Sequence, residues 1–157
     1  IIRGIPLMIL ALFLYFGVIK NSLTLVLAAI IILGINASAY MAEIFRAGIQ
    51  AIDYGQMEAA RSLGLSYFQT MRKIVLPQAV KIMIPSLMNQ FISSLKDTAI
   101  LSAISVNELT MTAKTIIARN YKAFELYSYA AIIYIVLITA LTWLSKKVER
   151  RLSYDKR

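Results

Sequence analysis

The sequence predicts an all-α membrane protein, a helical bundle in which about four helices cross the bilayer and a polar helical hairpin lies at its surface. Three observations carry that prediction. Hydrophobic residues make up 59% of the 157-residue chain, above the usual share for soluble proteins. Several apolar runs approach the length needed to cross a hydrocarbon core of about 30 Å. The basic residues, 17 Lys and Arg against 8 Asp and Glu, fall mostly in short clusters between or after those runs, as the positive-inside rule places them. That clustering accounts for the net charge of +9 without nucleic acid, and no nucleic-acid partner is expected. The chain has no Cys and no His, which excludes thiolate chemistry, a Ser-His-Asp arrangement and the usual zinc sites; no metal site is expected. None of its Gly residues is followed by Lys, so it carries no P-loop, and any ATP must sit on a partner.

Arg3, Gly4, Ile5 and Pro6 precede an almost wholly apolar run from Leu7 to Ile19, and Pro6 suits the first turn of a helix. The run is short for a full crossing unless it is tilted or embedded beside other helices. Gly17 to Ser22 reads as a tight turn with Lys20 and Asn21 at its tip. Leu23 to Ala42 is long enough to cross, and its second half and end carry Asn36, Ser38, Tyr40 and Glu43. At 100° per residue, Asn36, Tyr40, Glu43 and Ala47 fall within an arc of about 60°. Such a polar stripe turns to the bundle interior or to a water-filled path, not to lipid. For Glu43 an ion pair with Arg46 or another basic residue is preferred to a role in transport.

The polar island follows. Asp53 with Gln56 has the spacing of a capping box and opens a first helix across Glu58, Ala59, Ala60 and Arg61. Gly64 is placed to end it in the left-handed conformation. Ser66 with Gln69 repeats the box and opens a second helix, through Met71 to Leu76, and Pro77 forces a break or a kink. Small Ala59 and Ala60 leave room for another protein to approach. The wording of the stretch is specific: EAA, three residues, Gly, nine residues, Ile-x-Leu-Pro, at Glu58, Ala59, Ala60, Gly64, Ile74, Leu76 and Pro77. At average residue frequencies its chance occurrence is rarer than about one in ten million per starting point. It resembles the cytoplasmic EAA loop of the membrane-spanning (permease) subunits of ABC importers. The resemblance implies that residues 53–77 are a cytoplasmic coupling loop whose helix docks on the ATP-hydrolysing subunit, with Glu58, Ala59, Ala60, Arg61 and Gly64 as the coupling residues.

The chain re-enters the membrane at Val80 to Met83, with a kink expected at Pro85. Ser86, Gln90, Ser93 and Asp97 share one face within about 60°, with Asn89 and Lys96 on its flank. A lone Asn in a membrane helix is commonly packing glue, but four polar residues on one stripe favour a lined pathway. Lys96 and Asp97 are expected to be neutralised by neighbours. Ala99 to Val106 is apolar but short. Asn107 to Phe124 is polar and expected outside, with a helix from Glu108 to Ile117. Tyr127 to Ser145 is the cleanest membrane helix, with Tyr127, Tyr129 and Trp143 near its ends as interfacial aromatics. Lys146, Lys147, Arg150 and Arg151 then place the C-terminus inside. With four crossings, the EAA loop, the C-terminus and the residues before Leu7 share one side.

Two further segments extend the resemblance over nearly the whole chain. Arg3-Gly4-x-Pro6-Leu7 is similar to the polar amino acid branch of the importer permeases, although Ile5 stands where Thr is common. Asn89, Gln90, Lys96, Asp97 and Thr98 are similar to the Asn-x-Phe-Ile…Leu-Lys-Asp-Thr segment of that branch. The opening segment there follows at least one earlier membrane helix. Because the chain begins with Ile in mid-pattern, a missing N-terminal helix is expected. The resemblance implies a single transmembrane permease domain over 1–157 in the bacterial cytoplasmic (inner) membrane, multi-pass and not itself an enzyme. It would move a polar amino acid by alternating access. Its implied partners are ABC ATPase subunits carrying ATP and Mg²⁺, a second permease subunit as homo- or heterodimer, and an extracytoplasmic substrate-binding protein, with lipid around it. The expected substrate-binding residues are Asn36, Tyr40, Asn89, Gln90, Ser93 and Asp97. Neutral Gln90 favours an uncharged or broadly polar substrate. A non-transporting scaffold or sensor, a permease for another small solute, and a hydrolase using Glu43 and Asp97 are the alternatives.

Overall fold

The computed structural model describes residues 2–19 and 23–154, with side chains up to residue 150. The tip of the turn expected at Gly17 to Ser22 lies outside the described residues, as does the side chain of Arg151. A single 3₁₀ turn, Ile2–Gly4, leads through Pro6 into α1, Leu7–Leu12, which continues as a wider π-helix over Phe13–Ile19. Next comes α2, Leu25–Gln50, in which the Thr24 side chain accepts a hydrogen bond from the Leu27 amide. It therefore runs well past Ala42. The helix pair α3, Tyr54–Ser62, and α4, Tyr67–Thr70, forms the hairpin. A π-helix over Met71–Val75 joins α4 to α5, Leu76–Asp97. A 3₁₀ helix over Thr98–Ile104 leads to α6, Leu109–Asn120, and the chain closes with α7, Ala123–Tyr154.

Of the break or kink expected at Pro77, the break does not occur: helix runs on from Met71 through it. The π turn ahead of it has already loosened the hydrogen-bond ladder, and Pro77 then falls in the first turn of α5, where a missing N–H leaves no vacancy. The second hairpin helix is correspondingly short and merges into α5. The assigned helix also continues through Pro85.

The main packing is α2 on α5, with α7 against α5 and α6. On α2 the inward residues are Ala28, Ala29, Ile32, Asn36 and Gly48, a helical stripe of mostly small side chains. At Gly48 smallness is required: a Cβ there would overlap the side chain of Met83 on α5. The apolar core gathers Ala11, Ala29, Ile32, Leu101 and Ile104. The short segment after Asp97 thus folds back as a 3₁₀ helix that plugs the space between α1 and α2, and Ser105 ends it in the left-handed region at φ 66°. Glu108 caps α6 by accepting from the Thr110 and Met111 amides, at 2.8 and 2.6 Å, and also receives the Tyr134 hydroxyl at 3.1 Å, which ties α6 to α7.

Apolar side chains also cover much of the outside. Val26 and Ile30 on α2, and Ile132, Ile135, Val136 and Trp143 on α7, are all exposed. A soluble protein of this size rarely shows so much. Two described helices, Leu25–Gln50 and Ala123–Arg150, are long and apolar enough to cross a membrane on length and composition alone. The other expected crossings are the shorter Leu7–Ile19 and α5, whose polar stripe dilutes its apolar character. The chain is an all-α membrane bundle.

Candidate functional site: a polar cavity and a surface hairpin

Two parts of the molecule stand apart from the apolar bundle. The first is a cavity of about 470 Å³ lined by Arg3, Gly4, Ile5, Pro6, Leu7, Asn36, Tyr40, Gln90, Ser93 and Asp97. That volume lies within the roughly 300–1,000 Å³ usual for small-molecule sites. The two stripes expected from helical spacing do meet: Asn36 and Tyr40 come from α2, and Gln90, Ser93 and Asp97 from α5. A second cavity of about 420 Å³ shares Arg3, Tyr40 and Gln90 with the first and continues along the same two helices past Glu43, Ala47, Gly48, Met83 and Ser86. The groove therefore runs down the α2–α5 contact toward the hairpin, polar around Asn36 and Gln90 and mostly apolar beyond, past Ile44, Ala47, Ile82 and Met83.

Asn36 is the most informative residue of the lining. Only 6% of it is exposed, yet its amide forms no hydrogen bond with any described residue. No sealed, unpartnered side-chain N or O exists among the described residues, so that amide opens onto the cavity. An amide placed so can exchange hydrogen bonds with a polar molecule in the cavity. Gln90 donates from Nε2 to the Ser94 hydroxyl at 3.3 Å, which orients it on α5. Asn89 was expected in the site, but it is exposed and absent from both cavity linings. One residue along a helix is a 100° rotation, which carries Asn89 off the stripe that Gln90 occupies.

The sequence pattern alone does not reveal Arg3 as a wall of the cavity; it reads there as a basic flank. In the structure its guanidinium lies 3.8 Å from the Glu43 carboxylate and 4.9 Å from the Tyr40 ring centroid. Glu43 also meets Arg46 at 4.0 Å, so the preferred reading of Glu43 as an ion-pair residue agrees with the geometry. Lys96 and Asp97 are different. Neither forms an ion pair within 4.0 Å among the described residues, and Asp97 lines the cavity.

The second part is the hairpin. Asp53 caps α3 by accepting from the Gly55 amide at 2.6 Å, one residue before Gln56, and Gln56 does not reach back, so α3 has a simple N-cap and not the expected box. At the other end Gly64 takes φ +83°; its amide donates to the Arg61 carbonyl and that of Leu65 to the Ala60 carbonyl, completing a Schellman motif. The Ser66–Gln69 box is complete in both directions, at 3.3 and 2.9 Å. The Thr70 hydroxyl donates to the Ser66 carbonyl, and Thr70 and Val75 are buried beneath the turn.

This local framework sorts the expected coupling residues. Glu58, Ala59, Arg61 and Gly64 are exposed. Ala60 is not: it is 3% exposed and packs inward, because the turn that follows brings α4 against that face of α3. Its smallness serves the hairpin itself, not an approaching partner. Leu63 and Phe68, by contrast, are 84% and 71% exposed at the tip of an otherwise polar segment. Neither stands out in the sequence, where apolar residues are plentiful.

Residues 1–154 match the family described as the binding-protein-dependent transport system inner membrane component. The chain is 38% identical over 156 residues to the glutamine transport system permease protein GlnP of Escherichia coli (strain K12), covering 97% of this chain and 71% of that protein. It is 38% identical over 155 residues to the arginine transport system permease protein ArtQ of Bacillus subtilis (strain 168), with the same 97% and 71% coverage. A crystal structure of an amino acid ABC transporter with histidines superposes with a TM-score of 0.90 at 44% identity, over 96% of this chain and 71% of that one.

Proposed function

Because the chain belongs to the family of binding-protein-dependent transport system inner membrane components, we propose that it is the permease subunit of an amino acid importer and that the α2–α5 cavity is its substrate path. The relatives' names supply the transported class. The observation that carries the assignment of the path is Asn36, a nearly buried amide with no partner among the described residues, facing a polar cavity that opens past the exposed Arg3 to Pro6.

The family works with ATPase and binding-protein partners. In this reading the chain spans the bacterial inner membrane several times and pairs with a second permease subunit. The hairpin at 53–77 is the coupling element on the cytoplasmic side, and ATP with Mg²⁺ is bound by the partner ATPases. ATP-driven closure would draw two such hairpins together and tip the bundle between two arrangements, opening the α2–α5 groove to one side and then the other. This chain breaks no covalent bond. Its residues bind, orient and release.

Reconstitution into proteoliposomes with the ATPase and the binding protein tests the reading. A panel of polar amino acids is added with the binding protein, and both ATP hydrolysis and accumulation inside are measured. One amino acid or a small group should raise both. Stimulated hydrolysis without accumulation would instead identify a sensor, and the cavity would lose its assignment.

A further inference from the structure

We infer that the C-terminal end of α7 binds an anionic phospholipid, its phosphate held by Lys147 and Arg150 and its glycerol region by Trp143. The site shares no residue with either cavity lining. At 100° per residue, Tyr129, Ile132, Val136, Trp143, Lys147 and Arg150 fall within an arc of about 60° on α7, and all of them are exposed. From Ile132 onward that stripe passes from aliphatic to aromatic to cationic, the order of a phospholipid's own parts. The acyl chains would lie along Ile132 and Val136, with the indole at the membrane boundary. Lys147 then stands one helical turn, about 6 Å, farther out, at the level of the headgroups. Its ammonium is held on the outward side: Nζ lies 5.4 Å from the Trp143 ring centroid.

Charge selects the headgroup. Lys146, on the flank of the stripe, Lys147 and Arg150 form no ion pair within 4.0 Å among the described residues. The nearby Glu149 does not neutralise them; its carboxylate accepts from the hydroxyl of buried Ser145 at 3.4 Å. Three cations without a counterion, beside a tryptophan at the membrane boundary, attract a headgroup of net negative charge over a zwitterionic one. Bulk separates lipid from a protein neighbour. Where α2 packs on α5, its inward residues are mostly small, Ala28, Ala29 and Gly48 among them. The outward stripe of α7 carries Ile132, Val136 and Trp143 instead, and almost none of that helix's apolar stretch is covered by the rest of the described chain.

The test is native mass spectrometry of the detergent-purified permease–ATPase complex, titrated with dioleoylphosphatidylglycerol and, separately, with dioleoylphosphatidylcholine, which differ only in the headgroup. The first phosphatidylglycerol should bind the unaltered complex roughly tenfold or more tighter than the first phosphatidylcholine, the scale of two or more basic contacts at a membrane surface. Lys147→Gln combined with Arg150→Gln should remove that preference and leave phosphatidylcholine binding unchanged. Arg119→Gln combined with Lys122→Gln deletes the same charge at the turn between α6 and α7 and should keep the preference. Trp143→Leu retains apolar bulk but loses the ring beneath Lys147, and should weaken phosphatidylglycerol about two- to fivefold. Inorganic phosphate in hundredfold excess over lipid should not displace it, because phosphate has no acyl chain to lay along Val136. Equal binding of the two lipids by the unaltered complex overturns the site without any variant. Equal loss in both charge pairs would reduce the preference to net charge, and displacement by inorganic phosphate would make it a site for free anions. Loss of the ATPase from the Lys147→Gln, Arg150→Gln complex would assign the patch to a protein partner. Each of these three results also ends the lipid assignment.

Discussion

The hairpin at residues 53–77 and the cavity between α2 and α5 are both polar features of an apolar chain, but they are built on different length scales. The hairpin is held by bonds between near neighbours in sequence: Gly55 to Asp53, Leu65 to Ala60, and the reciprocal pair Ser66–Gln69. The cavity brings together Arg3, Asn36 and Asp97, which no local interaction relates. A self-contained hairpin can be displaced as a rigid piece by a partner without losing its shape. A cavity assembled from separate helices changes shape whenever those helices shift. One element suits the transmission of force, the other the response to it.

The comparison breaks outright if the two regions do not lie where a coupled device needs them. The expected outcome is all or none. With no native Cys in the chain, a single Tyr67→Cys in the hairpin should resist a membrane-impermeant thiol reagent in intact cells and react after lysis. Arg119→Cys, near the end of α6, should react in both. Reversed labelling would place the hairpin outside and end its coupling role.

Next in size is the effect of spoiling the hairpin's outer surface or its turn. Ala59 is exposed beside Glu58, and tryptophan there would obstruct any close-fitting partner. Gly64 sits at φ +83°, a region that a β-branched residue strongly resists. Ala59→Trp and Gly64→Val should each lower ATPase capture, or uncouple hydrolysis from uptake, by more than about tenfold, the scale of a blocked interface hot spot. Ala60→Trp should act otherwise, by unfolding the hairpin, since Ala60 is buried. If Ala59→Trp and Gly64→Val both copurify with the ATPase and transport normally, the hairpin does not couple.

Cavity variants come third. Gln90→Ala and Asn36→Ala each remove a polar group from the lining, and a lost buried hydrogen bond typically costs about 1–3 kcal/mol. The substrate concentration for half-maximal uptake should rise roughly tenfold, with the yield of assembled complex unchanged. A helix-packing role gives the reverse pattern, a less stable complex with unchanged substrate dependence.

The contrast in length scale also explains what could be read before the structure was known. The hairpin's caps and its glycine turn were legible because capping chemistry acts over three or four residues, and the two stripes because helical geometry fixes which residues share a face. That the stripes on α2 and α5 face each other follows from neither rule; it depends on Gly48 and Met83 letting the helices meet. Arg3 in the cavity wall, the inward turn of Ala60 and the packing of Thr98–Ile104 into the core are likewise tertiary facts. The π turns at Phe13–Ile19 and Met71–Val75 lack a sequence mark that distinguishes them from ordinary helix.

The smallest expected effect sharpens the comparison most directly, because it asks whether the hairpin is locally autonomous. Ser66 accepts from the Gln69 amide at 3.3 Å, and Gln69 Oε1 accepts from the Ser66 amide at 2.9 Å, so Ser66→Ala removes one bond of the box and loosens the other. Loss of such a cap costs typically about 1 kcal/mol. That corresponds to roughly a fivefold rise in the population of locally open states. Hydrogen exchange on the intact complex should therefore show faster exchange of amides in Tyr67–Thr70 by about that factor. Amides of α2 and α5 around the cavity should be unchanged, since no hydrogen bond from the box reaches them. Thr70 provides an internal check: its hydroxyl donates to the Ser66 carbonyl, a backbone atom that the substitution leaves in place, so the turn should weaken without collapsing. If exchange instead accelerates along α5 as well, the short α4 and the π turn at Met71–Val75 act as one rigid lever with the cavity helix. The hairpin would then be the end of α5 and not a separate piece.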